Sequence, residues 1–139
     1  MSAPWTYAFL DHTADAMADC RGVSFESLLW AATQALYDTA LDVQREEASE
    51  TQRIVVSSES REGLLVAWLQ EINYRLDACG FVAVDAEWDW ANEESVSAVL
   101  HGYRATPDER GAEIKAATFH NLNVSRSGKE WRAAVVFDL

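Results

Sequence analysis

Apolar and polar residues alternate with two different periods along this chain, and the switches between periods mark its elements. Trp5, Tyr7 and Phe9 alternate with Thr6, Ala8 and Leu10, which predicts a strand buried on at least one face. Residues 16–20 predict a short second strand from a weaker alternation. From Ser24 the period becomes helical: Phe25, Leu28, Leu29, Ala32, Leu36 and Thr39/Ala40 recur on one face. Ser24 is a good N-cap and Glu26 suits the positive end of the helix dipole, so the helix spans 24–40. The polar run 42–51 reads as a solvated connection, and 53–58, centred on Ile54-Val55-Val56, as a β-branched strand. A second helix starts at Ser60. Its buried stripe is Leu64, Leu65, Trp68, Leu69, Ile72, Leu76 and Cys79, and Gly80 stops it as a C′ glycine.

The rest of the chain predicts strands. Residues 81–90 set Val82, Val84, Ala86, Trp88 and Trp90 against Ala83, Asp85, Glu87 and Asp89, and 95–104 alternates in the same way. Residues 106–111 have turn composition. Residues 113–120 and 130–137 are strands separated by a loop holding Ser127-Gly128. This order predicts an α+β fold of largely antiparallel sheet packed with two amphipathic helices, in one domain over 1–139.

Charge narrows the function. The 139 residues carry a formal net charge of −12, with 11 Lys and Arg against 23 Asp and Glu. Such a surface repels phosphodiester backbones, so no stable direct binding of nucleic acid is expected. Cys20 and Cys79 are too few for a disulfide framework and read as reduced thiols. No apolar run reaches the ~18 residues of a membrane span, and the N-terminus lacks a signal-peptide layout. The expectation is a cytoplasmic protein with no membrane partner.

Candidate chemistry concentrates at Asp11-His12-Thr13-Ala14-Asp15, following the first strand, and at Asp138-Leu139. Carboxylates that converge need a compensating cation, because burying like charges together is costly. Asp15, Asp138 and the α-carboxylate of Leu139 would suit calcium or magnesium, both of which take oxygen ligands. Alternation places Asp138 on the strand face opposite Phe137 and Leu139, so the leucine side chain is expected to anchor the end. His12 and His120 raise zinc as an alternative, or serve as second-layer partners with Asp11. Lys115 falls inside the predicted strand 113–120, on a face with Ala117 and Phe119. There it reads either as an edge lysine or as a cation for a phosphate or acidic group. No serine, cysteine or histidine has a partner at a spacing that specifies a nucleophilic triad, which argues against a stand-alone hydrolase.

These stretches together resemble the archease family. The resemblance rests on Asp-His-Thr-Ala-Asp at 11–15, Ser-Phe-Glu-Ser-Leu-Leu at 24–29 and Gly-Leu-Leu-Val-x-Trp-Leu-x-Glu at 63–71. It continues in Glu-Ile-Lys-Ala-x-Thr-Phe-His-x-Leu at 113–122 and Trp-x-Ala-x-Val-Val-Phe-Asp-Leu at 131–139. Two departures stand out: the irregular Ala16-Met17-Ala18-Asp19-Cys20, and Phe119 where the family often has tyrosine.

The resemblance implies an accessory protein rather than an enzyme. Archeases activate the GTP-dependent RNA ligase of tRNA splicing and RNA repair, promoting its guanylylation and multiple turnover. The family's metal ligands fall on Asp15, Asp138 and Leu139, with calcium the expected ion, and its activating lysine falls on Lys115. The alternative implied role is that of a chaperone-like modulator of a tRNA-modifying methyltransferase.

Overall fold

The computed structural model describes residues 4–10 and 16–139, apart from the side chains of 119–123. Among these residues lie two helices and seven strands, in the order β1 (Trp5–Leu10), β2 (Ala16–Gly22), α1 (Phe25–Ala40), β3 (Glu50–Ser57), α2 (Arg61–Cys79), β4 (Phe81–Ala91), β5 (Ser95–Arg104), β6 (Ala116–Ser127) and β7 (Glu130–Asp138). A 3₁₀ turn at Pro107–Glu109 fills the predicted turn before β6. The strands form two sheets, β1-β2-β7-β6 and β3-β5-β4, and every described pairing is antiparallel. The α+β class expected from the periodicity is the one observed.

Both helices begin and end where local chemistry requires. The Ser24 hydroxyl accepts from the Ser27 N–H at 3.1 Å, and Ser60 accepts from Gly63 at 3.0 Å, each satisfying an otherwise orphaned first-turn donor. Gly80 takes a left-handed conformation with φ 74° and closes α2, a geometry that disfavours any Cβ. Gly22 is required for another reason. A Cβ there would lie 2.4 Å from the Leu28 nitrogen, so only glycine lets β2 run this close to α1.

The helices touch both sheets, and this explains why α1 buries more than its predicted stripe. Ala31, Thr33, Ala35 and Tyr37 are buried beside Leu28, Leu29, Ala32 and Leu36, because neighbours surround the helix on more than one side. Its polar groups are therefore paired internally. The buried Trp68 indole N–H donates to the Thr33 hydroxyl at 2.8 Å, and that hydroxyl donates to the Leu29 carbonyl at 2.7 Å. The Tyr37 hydroxyl accepts from the Ala83 N–H at 2.9 Å, beside a register shift of β4.

Several expectations need correction. β1 is an edge strand with its aromatics only half covered, and Phe9 is 44% exposed. The alternation of β4 is broken by one-residue shifts at Ala83/Asp85 and at Trp88/Trp90. A one-residue shift moves every later side chain of the strand to the other face, so Trp88 packs inward while Trp90 is 49% exposed. Cys79 is half-buried rather than part of the α2 stripe. β3 starts at Glu50, earlier than expected. β6 starts at Ala116 rather than at 113, which leaves Lys115 outside the strand and exposed, not on the face of Ala117. The cause lies one residue earlier: Ile114 is buried, and its carbonyl accepts from Asn73 Nδ2 of α2 at 2.8 Å, which pulls the chain toward the helix. Leu139 lies beyond β7 and is 43% exposed, so its side chain does not anchor the end in the core.

Replacing Thr33 by valine keeps the volume but leaves the buried Trp68 indole N–H without an acceptor. The expected loss is about 1–3 kcal/mol in urea unfolding, with a smaller loss for Thr33→Ser. A wild-type midpoint for Thr33→Val would show that the bond contributes nothing.

Candidate functional site

The position of β7 brings the expected site residues toward one another. β7 lies between β2 and β6, and Ala16 pairs with Phe137 while Ala116 pairs with Asp138. At the same end Leu10 pairs with Met17, so residues 11–15 connect the adjacent ends of β1 and β2. Four chain segments therefore meet at one end of the sheet: the end of β1, the start of β2, the start of β6 and the end of β7. This convergence needs no side-chain contact to establish it, because antiparallel register alone fixes it.

Asp138 is half-buried at this end, on the sheet face opposite the core residues Val135 and Phe137. Its carbonyl accepts from the Lys115 N–H at 2.8 Å, which ties the start of β6 to the end of β7. The Lys115 side chain is exposed one residue from Ala116. Beside it a cleft of about 430 Å³ runs between α2 and the segment entering β6, lined by Asn73, Tyr74, Asp77, Glu113 and Lys115 among others. Asp11, His12 and Asp15 lie outside the described residues, as does the side chain of His120.

Among the described residues, no three His, Cys, Asp or Glu side chains are grouped to hold a metal. Of the expected set, Asp138 and Leu139 are described: the Asp138 side chain is half-buried and Leu139 is exposed. Cys20 does not enter this chemistry. It is fully buried in β2, and burial, reinforced by the neighbouring Asp19 charge, pushes its thiol up to about 12. A thiol held protonated is neither nucleophile nor ligand.

The opposite end of the same sheet is bound by charge. On its outer face Asp19 accepts from Arg21 at 3.1 Å and from Arg132 at 2.8 Å, while Arg21 also reaches Glu130 at 3.4 Å. Trp131 packs against Phe25 with the Arg61 and Arg126 guanidinium groups over its ring. These contacts fix the register of β2 against β7 and so the convergence at the other end.

Residues 7–139 match the archease protein family. This chain belongs to that family. An archease from Methanopyrus kandleri is 33% identical over 98% of this chain and 99% of its own length. One from Methanosarcina barkeri is 30% identical over 96% and 95%. Among solved structures, the solution structure of Methanobacterium thermoautotrophicum protein 1598 superposes with a TM-score of 0.75 at 27% identity, covering 96% of this chain and 98% of that one. A Thermotoga maritima archease, described as a possible chaperone, gives 0.61 at 25% identity, over 100% and 98%. These archeases match across both sheets and both helices, so the likeness extends to the convergent end of the β1-β2-β7-β6 sheet. None of the described helices is long and apolar enough to cross a membrane.

The buried Cys20 should resist iodoacetamide in the folded protein at mildly alkaline pH, while the half-buried Cys79 reacts. Mass spectrometry should find both modified after urea unfolding. Native labelling of Cys20 at a rate like that of Cys79 would contradict its sealed position.

Proposed function

We propose that this archease is an accessory activator of a GTP-dependent RNA ligase, acting through the sheet end where 11–15, Lys115 and Asp138 converge. The observation that supports the reading is that register sets the ends of β1 and β2 that flank 11–15 beside the start of β6, next to Lys115, and the end of β7, which carries Asp138. The acidic surface supports a protein partner with a positively charged, phosphate-binding site over bulk RNA. In this reading Asp15, Asp138 and the carboxylate of Leu139 hold a divalent cation, calcium first and magnesium or manganese next. When bound, such an ion offsets phosphate charge. Lys115, exposed beside the cleft under α2, contacts a phosphate or an acidic group of the ligase. The chain itself carries out no chemistry: it orients groups at the ligase and leaves guanylylation to it. A second reading is a chaperone-like role toward a tRNA-modifying methyltransferase; the Thermotoga maritima relative is described as a possible chaperone, without a named client.

Multiple-turnover RNA ligation with and without this protein separates the two. Stimulation is expected with the ligase present, and neither RNA joining nor GTP hydrolysis by the protein alone. Activity of the isolated protein would remove the accessory reading. Lys115→Ala should cost within ~0.5 kcal/mol of stability, as exposed substitutions usually do, yet reduce stimulation. Normal stimulation by that variant would leave Lys115 without a role.

The metal is tested by calorimetric titration with Ca²⁺, Mg²⁺ and Mn²⁺. Asp15→Asn and Asp138→Asn should each abolish binding, and a C-terminal tag should weaken it where an N-terminal tag does not. Wild-type binding by both aspartate variants would refute the site.

A further inference from the structure

The convergent end is not the only built feature. About six residues along β2, roughly 20 Å at strand spacing, the sheet reaches its other end at Trp5, Gly22 and Trp131. There β1, the edge of one sheet, and β4, the edge of the other, both pack against α1. Between them lies a cleft of about 220 Å³ lined by Trp5, Trp30, Trp88, Glu26 and Asp85, with Pro4 at its rim.

Three of the chain's six tryptophans meet in this cleft, and each is half-buried rather than sealed. Trp88 is braced by the buried Trp68, ring centroids 5.2 Å apart, and Trp5 by the stacked Tyr7 at 6.3 Å. Incomplete packing at the rim of two sheets would explain half-covered indoles alone. It does not explain two carboxylates in an aromatic cleft that has no basic lining residue. Among the described residues neither Glu26 nor Asp85 is ion-paired.

Indole faces attract organic cations through their quadrupole, and carboxylates at the rim add direct charge. The N-terminus of α1 opposes this with about half a positive charge, less than the two full charges of Glu26 and Asp85. A neutral apolar occupant would desolvate both carboxylates without compensation, and an anion would be repelled. We propose that this cleft is a second docking point, which receives a cationic side chain, arginine or lysine, from a partner protein. The net charge of −12 favours such a partner. The proposal is independent of the metal and of the ligase reading.

The test uses the full chain with N-acetyl-arginine amide, N-acetyl-lysine methylamide and the neutral isostere N-acetyl-citrulline amide, monitored by calorimetry and by indole N–H resonances. At least one cation should move the signals of Trp5, Trp30 and Trp88 but not that of Trp131. Citrulline should bind at least about tenfold more weakly. Asp85→Asn, an exposed position whose carboxylate accepts, among the described residues, from the Ala86 N–H alone, should weaken cation binding about fivefold or more, and so should Trp30→Leu, with circular dichroism unchanged. The tighter of the two cations identifies the side chain. Equal binding of citrulline, no shift with either cation at tens of millimolar, or unchanged binding in Asp85→Asn would overturn the proposal. Tighter binding of free arginine or lysine than of its capped form would overturn the assignment to a partner protein.

Discussion

A helix packed against two sheets has only a narrow solvent side, from Glu26 and Trp30 to Asp38, on which to place polar groups, and α1 is built under that constraint. Its residues are small where the neighbours come closest, with Ala31, Ala32 and Ala35 fully buried. The polar residues it does bury are fully used: Thr33 accepts from Trp68 of α2, and Tyr37 accepts from the backbone of β4. Left unpaired, a few such groups would together cost as much as a domain's whole margin of stability. Paired, they set the position of α2 and of one sheet relative to α1. Gly22 then lets β2, in the other sheet, close against the same helix.

The β1-β2-β7-β6 sheet transmits that placement to its two ends. One end is pinned by cross-strand charge, with Asp19 shared between Arg21 and Arg132, and by Trp131 under two guanidinium groups. Between the ends, β6 is irregular from Phe119 to Val124, opposite Val135 and Ala133 of β7. Even there the backbone is held, because the Val124 N–H donates to Glu62 of α2 at 2.8 Å.

Local chemistry was legible in the sequence, and pairing was not. Ser24, Ser60 and Gly80 declare the helix limits because caps depend on neighbours in the chain. The Trp90 face was misjudged because a bulge is a relation between two strands, and neither strand alone contains it. Lys115 fell outside its strand because Ile114 and Asn73 meet across 41 positions, a contact no periodicity encodes. For the candidate site, the acidic motifs at 11–15 and 138–139 and the family resemblance were visible, whereas the meeting of the start of β2 with the end of β7 depends on a strand pairing that no local pattern encodes. The tryptophan cleft had one overlooked sign: Trp30 sits off the apolar stripe of α1, where a large indole has no reason to be unless something covers it.

The placement of β7 also governs when this protein can assemble. Ala16–Gly22 is joined to residues 131–137, so the chain's second strand waits for its last before one of its edges is filled. β1, β2 and the α1 that packs on them are synthesised long before β7, and a two-stranded hairpin is marginal in water. Until β7 pairs, β2 offers an unpaired edge to any neighbouring nascent chain. Closing the sheet therefore waits on β7, and the same strand that completes it delivers Asp138 to its end.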